Sequence, residues 1–334
     1  MKNVNVAILG ATGAVGREML KVLKERSFPI NQLKVLASAR SAGKTLPFGE
    51  DSLVVEEACD ASFEGMDIVL GAAQNPLAKQ FAPAIVKAGA VFVDNSSAFR
   101  MDPSVPLVVP EINPEDVAAH KGIISNPNCS TIITLTAVAA LNRLSPITAM
   151  VASTYQAVSG AGAAGLAELE RQTRDYAAGK PLEASAFPWQ IAFNVIPQIG
   201  CDTGNGYTSE EMKMQNEGRK ILHLPELLVT CTCVRVPVLR SHSISVTLRT
   251  QRRISVEEAR EAIAQAPGCR LVDDLERKAY PMPLDTSDQD IVFVGRIRED
   301  LTDPNGLSLF CCGDQIRKGA APNAIQIAEL LLER

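Results

Sequence analysis

The stretch Val4-Asn5-Val6-Ala7-Ile8-Leu9-Gly10-Ala11-Thr12-Gly13-Ala14-Val15-Gly16 decides the fold of the first part of the chain. Its apolar first half predicts a buried parallel strand, and a helical pattern continues from Arg17 to Arg26. Glycines between a strand and a helix let the backbone approach a pyrophosphate at the helix N-terminus. The spacing is G-x-x-G-x-x-G rather than the commoner G-x-G-x-x-G, so a glycine-rich turn without a ligand stays an alternative.

The next predicted strand, at 33–37, leads into a polar and basic segment. A dinucleotide site specific for NAD offers Asp or Glu to the ribose hydroxyls at this point. Here Ser38, Arg40 and Ser41 stand instead. Hydroxyls and a guanidinium suit a 2′-phosphate, which a carboxylate would repel. We therefore expect NADP, with an ordinary solvated arginine as the alternative.

Strands and helices alternate through the first part of the chain. Further strands are predicted at 66–73 and 90–94, with a helix at 76–88. This alternation predicts an α/β fold with a Rossmann-like, doubly wound parallel sheet, in which ligands bind at the carboxyl ends of the strands. Arg100 follows the strand at 90–94, so it is a candidate anion-binding residue, with a surface salt bridge as the alternative.

The pattern changes after the middle of the chain. β-branched, alternating runs predict strands at 148–156, 229–237 and 243–250, the last two in an antiparallel sheet. A helix is predicted from Ala163, and another begins near Ser209, which is a candidate N-cap.

These elements predict two domains. We expect a nucleotide-binding domain at 1–127 that also includes a C-terminal helix segment at about 314–334. An α+β domain with a mixed sheet, at 128–313, is inserted between these two parts. Within it, residues 179–202 hold several prolines and predict a long excursion without regular structure.

Composition excludes several classes of function. The chain has 334 residues, a formal charge of −5 and 4% aromatic residues, so it offers neither a basic field nor a stacking surface to nucleic acid. Its apolar runs are too short to cross a bilayer, and it opens on a strand rather than a signal peptide. The eight cysteines are scattered without metal-ligand spacing, and Cys231-x-Cys233 lies in an apolar run typical of packing. We expect a cytoplasmic protein with small-molecule partners and no metal, nucleic acid or membrane partner.

A second stretch, Ile123-Ile124-Ser125-Asn126-Pro127-Asn128-Cys129-Ser130-Thr131, carries the candidate chemistry. A turn that contains proline ends just before an apolar helical run, so Cys129 lies at or just inside a helix N-terminus. The positive end of the helix dipole favours an anion, and the thiolate is the nucleophilic form of cysteine. Asn128, Ser130 and Thr131 add hydrogen-bonding groups that suit a polar substrate. A small cysteine packed in a core is the alternative.

Five segments together resemble the aspartate-β-semialdehyde dehydrogenase family. Residues 125–131 are similar to the active-site segment of that family, and residues 10–16 match its nucleotide-binding turn. The other matching segments are Tyr155–Gly162, Glu210–Lys213, and Arg235–Pro237 leading to Ser241–Ser243. The matching segments occur in the same order as in the family, and the resemblance covers essentially the whole chain. The five segments together are specific for the family, whereas any one of them alone is not.

The resemblance implies a role for each matching residue. Cys129 would be the nucleophile, His242 the general acid and base, and Gln156 a residue that orients the substrate. Arg235 would hold the substrate α-carboxylate, a task suited to a planar guanidinium, and Glu210 would receive its ammonium group. The phosphate site would consist of Arg100, Asn128 and Lys213. The cofactor contacts would be Gly10, Thr12, Gly13, Ala14, Val15, Gly16, Ser38, Arg40, Ser41, Ser159, Gly160 and Asn323.

The resemblance also implies the reaction. NADPH would reduce L-β-aspartyl phosphate to L-aspartate 4-semialdehyde and phosphate through a thioacyl intermediate on Cys129, and phosphate would support the reverse. This is an early step toward lysine, through diaminopimelate, and toward methionine and threonine. Family members form homodimers, or tetramers of dimers, through a second domain that is both catalytic and dimerising. An ordinary helix-surface ion pair stays the alternative for Glu210 and Lys213.

Three other functions stay open on the sequence alone. N-acetyl-γ-glutamyl-phosphate reductase uses the same acyl-phosphate chemistry, but its cysteine segment typically reads Pro-Gly-Cys-Tyr, whereas Asn128-Cys129-Ser130 stands here. An enzyme that reduces an acyl-CoA fits less well, because Arg100 and Lys213 suit a phosphate. A protein that binds a dinucleotide without catalysis would need neither Cys129 nor His242.

Overall fold

The structure is a computed structural model that describes residues 3–333. The predicted nucleotide-binding domain includes Met1, Lys2 and Arg334, and these three residues lie outside the described part. The chain divides into two compact units, Met1–Asn128 with Ala320–Arg334, and Cys129–Gly319. The bounds that the sequence predicts for the two functional domains, at 127 and about 314, stay a prediction.

Thirteen strands and eight helices are assigned within residues 3–333. The strands are β1 Val4–Leu9, β2 Ile30–Ala37, β3 Thr45–Phe48, β4 Asp51–Glu57, β5 Ile68–Gly71, β6 Val91–Asp94, β7 Ile123–Ser125, β8 Ile147–Gln156, β9 Leu228–Arg235, β10 His242–Thr250, β11 Cys269–Leu271, β12 Val292–Glu299 and β13 Gly306–Gly313. The helices are α1 Ala14–Glu25, α2 Asn75–Lys87, α3 Cys129–Leu144, α4 Gly162–Ala177, α5 Ser209–Ile221, α6 Val256–Ala264, α7 Pro283–Thr286 and α8 Ala321–Leu332. None of the helices in this described part is long and apolar enough to cross a membrane.

The first unit is a doubly wound α/β sheet. Over the described residues its strand order is β3-β4-β2-β1-β5-β6-β7, and neighbours are parallel except for β3 with β4. Alternate residues of β1 face opposite sides of the sheet. Val6 and Ile8 pack in an apolar cluster with α1 and α8, whereas Ala7 and Leu9 pack in a second cluster with α2. The predicted Rossmann-like fold is confirmed.

The β3–β4 hairpin was not predicted from the sequence. Among the residues of β4, only Val55 is buried, and Asp51, Glu56 and Glu57 are exposed. A strand that exposes most of its side chains has no continuous apolar run, so its sequence resembles a loop. Pairing with β2 on one side and β3 on the other makes it a strand.

Gly16 lies where α1 meets the glycine turn, and it has no room for a side chain. A Cβ at this position would lie 2.6 Å from Ala11 Cα and even closer to the carbonyl oxygen of Gly10. We expect Gly16→Ala to destabilise the protein by roughly 1–3 kcal/mol, because backbone must move to admit the methyl group. Urea unfolding would measure the change.

Gly13→Ala is the matched control for this substitution. Gly13 has φ −74°, and its nearest neighbour to an added Cβ is Gly10 O at 3.4 Å, an ordinary contact. We expect this variant to keep its free energy of unfolding. Equal destabilisation by the two variants would contradict the close-packing explanation for Gly16.

The second unit has a mixed sheet. Its strand order within the described chain is β11-β12-β13-β10-β8-β9. β10 is antiparallel to β8 and β13, whereas β9 is parallel to β8 and β11 is parallel to β12. The predicted mixed sheet is confirmed, but the antiparallel placement of residues 229–237 is wrong. The connection from β8 to β9 passes through α4 and α5, and so long a crossover can return the chain in the parallel direction.

The two faces of this sheet differ in polarity. Ile244, Val246 and Leu248 of β10 are buried on the face that packs with α3, which we call the inner face. The opposite face, which we call the outer face, carries Ser243 and Ser245 together with their partners on β8 and β13. Strand alternation therefore fixes which side chains can meet on each side of the sheet.

The segment between α4 and α5 forms no helix or strand in residues 178–208, all of which the structure describes. It is held by the buried Glu168, whose carboxylate accepts hydrogen bonds from the backbone N–H and hydroxyl of Ser185 at 2.8 and 2.9 Å. The predicted N-cap of α5 is wrong by one residue. Thr208 is the N-cap and forms a reciprocal capping box with Glu211, while the Ser209 hydroxyl accepts the N–H of Cys201.

Candidate active site

Cys129 is the first residue of α3, as the sequence analysis predicted. Its side chain is half-buried, whereas Cys231 and Cys233 are buried, as their apolar run predicted. A hydrogen bond with Cys233 and burial raise the pKa of the Cys231 thiol, so that thiol stays protonated. Cys129 instead lies at a helix N-terminus, where the dipole favours the thiolate. Gly319 packs against it, since a Cβ at 319 would lie 2.9 Å from the Cys129 Cβ.

Three predicted site residues lie at the ends of neighbouring strands on the inner face. Gln156 ends β8 and is paired with Arg235, which ends the parallel strand β9. His242 begins the antiparallel strand β10, and Ser243 pairs with Tyr155, so His242 comes next to Gln156. All three side chains are buried, with exposed fractions of 2%, 7% and 0% respectively. The strand register therefore brings together residues that are far apart in the sequence.

The imidazole of His242 is held in one tautomer. The backbone N–H of Ala157 donates to His242 Nδ1 at 3.1 Å, so Nδ1 is unprotonated and the neutral ring carries its proton on Nε2. Burial and the positive charge of Arg235 lower the pKa of His242 to about 3, against the opposing effect of Glu210. His242 is therefore neutral at physiological pH, with an N–H at Nε2.

Arg235 is fixed by the same backbone segment. Its Nη1 donates to the carbonyl oxygen of Ala157 at 2.6 Å, and its guanidinium lies 5.9 Å from the ring centroid of Phe187. Burial lowers the pKa of Arg235, and the negative charges of Cys129 and Glu210 oppose that shift. The group is thus a buried cation in the electrostatic range of the Cys129 sulfur.

Glu210 and Lys213 of α5 reach the same region. Gln156 Nε2 donates to Glu210 Oε1 at 3.3 Å, and Lys213 Nζ lies 2.7 Å from Glu210 Oε2. Gln156 Nε2 also lies 3.4 Å from His242 Nε2. Both of those nitrogens carry hydrogens when Ala157 donates to Nδ1, so this approach is a contact rather than a hydrogen bond. A cation, a carboxylate and an amide thus surround the neutral imidazole.

Gly160 and Ser159 lie against this cluster. A Cβ at Gly160 would lie 2.7 Å from Arg235 Nη1 and 3.2 Å from His242 Cε1, so only glycine allows this close approach. Gln315 Nε2 donates to the Ser159 hydroxyl, and Gln315 Oε1 accepts the N–H of Ser241 at 2.9 Å. The second unit therefore groups Gln156, Ser159, Gly160, Glu210, Lys213, Arg235 and His242.

The predicted nucleotide site lies in the first unit. A cavity of about 530 Å³ is lined by Gly10, Thr12, Gly13, Ser38 and Arg40 among the predicted residues. Ala14, Val15 and Gly16 lie in the first turn of α1, Ser41 is buried at the end of a 3-10 turn, and these four do not line the cavity.

The residues around this cavity are suited to bind a dinucleotide. Gly10 has φ +91°, and a Cβ there would lie 2.7 Å from the carbonyl oxygen of Ala72, so a side chain would block this turn. Over the described chain, no side chain caps the N-terminus of α1, whose N-cap is Gly13. Backbone N–H groups at such a terminus suit a phosphate.

Two of the remaining predicted residues of the first unit, Arg100 and Asn323, belong to a buried polar network. The Arg100 guanidinium donates to the carbonyl oxygens of Asn126 and Asn95 at 3.0 and 2.8 Å. Asn323 Nδ2 donates to Asn126 Oδ1 at 2.7 Å, and Asn323 is fully buried. Asn128 is also buried, at the end of this unit. Arg100 and Asn323 thus meet at Asn126, a link that no local pattern predicts.

Sequence reasoning missed several residues of these sites. Ala157 holds both His242 and Arg235 through its backbone, and an alanine carries no side-chain signal for this role. Gln315 belongs to none of the matching segments. Glu57, Ala72 and Ala73 also line the nucleotide cavity. A check of the residues at the carboxyl end of the strand predicted at 66–73 could have found the two alanines. Glu57 ends β4, which has no strand signal in the sequence.

Two family models match the chain. Semialdehyde dehydrogenase, NAD binding domain, matches residues 5–120, and Semialdehyde dehydrogenase, dimerisation domain, matches residues 138–318. Together with the two folds, these matches define the class of the protein as a semialdehyde dehydrogenase, an oxidoreductase with a nicotinamide cofactor, a small-molecule substrate and a dimerisation domain. 

Individual relatives narrow this class. The aspartate-semialdehyde dehydrogenase of Synechocystis sp. is 54% identical over 331 residues, which are 99% of this chain and 98% of the relative. The crystal structure of aspartate semialdehyde dehydrogenase II from Vibrio cholerae, complexed with ASA, has a TM-score of 0.96 and 44% identity, and covers 100% of this chain and 99% of that one. The enzyme of Candida albicans with NADP has a TM-score of 0.77 and 26% identity, with 99% of each chain covered. The chain belongs to the aspartate-semialdehyde dehydrogenase family.

Proposed function

We propose that the chain catalyses the NADPH-dependent reductive dephosphorylation of L-β-aspartyl phosphate to L-aspartate 4-semialdehyde, and the phosphate-dependent reverse reaction. The observation that carries this proposal is the convergence of Gln156, Glu210, Arg235 and His242 in the unit whose helix α3 begins at Cys129. A thiolate, a neutral imidazole, a buried guanidinium and a carboxylate are the groups that this reaction of an amino-acid acyl phosphate requires. 

The chemistry begins at Cys129. Its thiolate attacks the acyl carbon, the bond to phosphate breaks, and a thioester forms on the sulfur. The nicotinamide ring, when bound, supplies the hydride that reduces the thioester carbon. The N–H at Nε2 of His242 donates to the oxygen on which negative charge develops, and collapse of the thiohemiacetal then returns the thiolate and releases the aldehyde.

The charged residues bind and orient the substrate. Arg235 binds the α-carboxylate, held in position by the carbonyl oxygen of Ala157. Glu210 and Lys213 neutralise each other at 2.7 Å in the structure. We assign the ammonium group of the substrate to Glu210 and the phosphate to Lys213, so that binding exchanges one ion pair for two. Arg100 and Asn128 complete the phosphate site in this assignment.

The test is an assay with two competing aldehydes. Purified protein should reduce NADP⁺ with L-aspartate semialdehyde in a phosphate-dependent reaction, followed by the absorbance of the reduced cofactor. N-acetylglutamate semialdehyde should give no turnover. The opposite preference would place the chain with the N-acetyl-γ-glutamyl-phosphate reductases and contradict the proposed substrate. Activity with neither aldehyde, from protein with a reduced Cys129, would contradict the catalytic assignment.

We propose NADP as the preferred cofactor on the basis of Arg40. This residue lines the nucleotide cavity with Ser38, and within residues 3–333 it has no carboxylate within 4 Å. An unpaired guanidinium beside a hydroxyl matches a 2′-phosphate. The remaining cofactor contacts, Ser159, Gly160 and Asn323 included, stay proposals of the same kind.

Arg40→Ala should selectively weaken the use of NADP. We expect the ratio of kcat/KM for NADP to that for NAD to fall by about 10- to 100-fold, the size expected for one charged contact to a phosphate. Steady-state kinetics with both cofactors would measure the ratio. Lys44→Ala, just beyond the same turn, is the control and should leave it unchanged. An unchanged ratio in Arg40→Ala would place the 2′-phosphate elsewhere.

Arg235→Lys should raise KM for L-aspartate semialdehyde by about 10- to 100-fold, because a point charge replaces a planar fork. The KM for NADP⁺ should change much less. Arg143→Lys, on the exposed end of α3, is the control with the same chemical change. If the aldehyde KM were the same in Arg235→Lys and wild type, the α-carboxylate would be bound by another group.

The outer face of the second unit is our proposal for the dimer contact. Val151 on β8 and Leu228 on β9 are 55% and 61% exposed there, and Tyr155 is 39% exposed. Exposed apolar side chains grouped on one sheet face are typical of a subunit interface. A homodimer, or a homotetramer made of two dimers, fits this face. The cytoplasmic location stays a prediction from the scattered, free cysteines.

A further inference from the structure

Three asparagines are joined by side-chain hydrogen bonds at the carboxyl edge of the sheet in the first unit. Asn95 directly follows β6 and Asn126 directly follows β7, and these two strands are neighbours in the sheet. The third, Asn323, lies in the first turn of α8. Asn126 and Asn323 are 1% and 0% exposed, and Asn95 is half-buried. Buried amide groups need partners inside the protein, so the fold determines how these side chains are oriented.

The hydrogen bonds lead from the first turn of α8 to the end of β5. Asn323 Nδ2 donates to the carbonyl oxygen of Val108 at 3.1 Å and to Asn126 Oδ1 at 2.7 Å. Asn126 Nδ2 donates to Asn95 Oδ1 at 2.9 Å. Asn95 Nδ2 in turn donates to the carbonyl oxygen of Gly71 at 2.7 Å. We call this series of three side chains the asparagine relay.

The direction of the asparagine relay is determined at both of its ends. A backbone carbonyl oxygen can only accept a hydrogen bond, so Asn95 and Asn323 must each turn Nδ2 toward the carbonyl group at their end. Asn95 Oδ1 is then the atom that faces Asn126, which turns its own Nδ2 toward it and its Oδ1 toward Asn323. Position 126 therefore requires a side chain with a donor on one side and an acceptor on the other.

Two residues of the relay also orient the guanidinium of Arg100. Arg100 Nε donates to the carbonyl oxygen of Asn126 at 3.0 Å, and its Nη2 donates to the carbonyl oxygen of Asn95 at 2.8 Å. The side-chain hydrogen bond between Asn95 and Asn126 thus joins the two backbone groups that hold this guanidinium. Arg100 is 7% exposed, so its direction depends on these groups rather than on solvent.

We propose that Asn126 is a positioning residue that holds Arg100 for the phosphate and Asn323 for the cofactor. This inference rests on the proposed function, in which Arg100 belongs to the phosphate site and Asn323 contacts NADP. The backbone carbonyl group of Asn126 orients the arginine, and its side chain orients the amide group of Asn323. Loss of that side chain therefore weakens the binding of phosphate and of NADP. The aldehyde, which Arg235 of the second unit binds in the proposed function, is bound as before.

The test compares three affinities in the full-length variant Asn126→Ala. KM for phosphate should rise about tenfold, because a charge-assisted hydrogen bond is misaligned, and Kd for NADP⁺ should rise about three- to tenfold, the size expected for one neutral hydrogen bond. KM for L-aspartate semialdehyde should stay near the wild-type value. Steady-state kinetics, calorimetric titration with NADP⁺ and ³¹P NMR titration with inorganic phosphate would measure these quantities.

Asn5→Ala is the matched control. Asn5 Nδ2 donates to the carbonyl oxygen of Gly65 at 2.7 Å, and its Oδ1 accepts from Asn31 Nδ2 at 2.8 Å. The variant therefore loses the same two kinds of hydrogen bond near the amino end of β1, and it should leave both affinities unchanged. Equal changes in the control, or an equal rise of the aldehyde KM in Asn126→Ala, would make Asn126 a packing residue and overturn the inference.

Asn95→Ala, at a half-buried position, tests the relay if Asn126→Ala does not fold. It should also raise KM for phosphate, because the hydrogen bond that joins the two carbonyl groups around Arg100 is lost. In the double variant, KM for phosphate should rise by less than the product of the two single effects, since both changes remove this one bond. A rise equal to the full product would mean that the two asparagines act independently and would contradict the relay.

The phosphate titration separates this inference from the proposed function. Unchanged phosphate affinity in Asn126→Ala, with an active wild type, would overturn the positioning role alone. Phosphate binding that is weakened in Asn126→Ala, together with a wild type that shows no turnover, would overturn the proposed reaction and support the positioning role.

Discussion

Cys129→Ala should abolish turnover, with kcat reduced by at least about 10⁴-fold, while NADP binding and the free energy of unfolding stay near the wild-type values. The size of the loss follows from the mechanism, because without the sulfur no thioester can form and the reaction loses its covalent path. The helix position favours the thiolate, and Arg235 adds positive charge in its electrostatic range. Steady-state kinetics would measure kcat, and calorimetric titration would measure the binding of NADP⁺.

Cys201→Ala is the matched control for that variant. Cys201 is an exposed, free cysteine of the same unit, so its loss tests the removal of a thiol without the proposed role. It should retain wild-type kcat. If Cys129→Ala lost cofactor binding or stability together with activity, the cysteine would have a structural role. In wild type mixed with L-β-aspartyl phosphate, mass spectrometry should find the acyl group on the peptide that contains Cys129.

His242→Asn should lower kcat by about 10²- to 10³-fold, the range for removal of one hydrogen-bond donor to a developing negative charge. Asparagine can still accept the N–H of Ala157 through its side-chain oxygen, but it removes the N–H at Nε2. KM for the aldehyde should change little, because Arg235 keeps its hydrogen bond to the carbonyl oxygen of Ala157. A large rise in KM with unchanged kcat would instead make His242 a binding residue.

The same substitution should change the dependence of stability on pH. The pKa of His242 is about 3 in the folded protein and about 6.5 in the unfolded chain. The unfolded state therefore binds an extra proton between these values, so stability is full above about pH 6.5 and falls as the pH is lowered toward 3. At about pH 4.5, this residue should account for a loss of roughly 3 kcal/mol.

The variant His242→Asn should not show this loss of stability at low pH, because it lacks the imidazole. Urea unfolding of both proteins at neutral pH and at about pH 4.5 would isolate it, because the other titrating groups are common to the two chains. Equal pH dependence in the variant and wild type would mean that His242 is not a buried neutral imidazole in the folded protein.

The local signals of the sequence determined much of the first unit. A buried strand, a glycine turn and a helix follow one another within residues 4–25, and the contacts that stabilise this order are short-range. The start of α3 at Cys129 could also be predicted, because a proline turn before an apolar run is a local helix-start signal. The hairpin of β3 and β4 could not be predicted, since its exposed strand has no apolar pattern.

The sequence also contained the residues of the site, but their grouping was implied by resemblance rather than by spacing. Gln156, Arg235 and His242 are neighbours only because β9 joins β8 in parallel while β10 joins it in antiparallel register. Strand pairing across such long connections depends on the packing of the whole sheet, which periodicity does not encode.

The tertiary structure alone decided the chemical state of that site. Ala157 has no side-chain signal, yet its N–H fixes the tautomer of His242 and its carbonyl oxygen fixes Arg235. Burial beside Arg235 lowers the pKa of His242 to about 3, whereas the same residue in a solvated chain would titrate near 6.5. The sequence determined which groups are present and which local elements carry them. Their protonation and mutual orientation follow from desolvation and backbone hydrogen bonds, which exist only once the strands have come together.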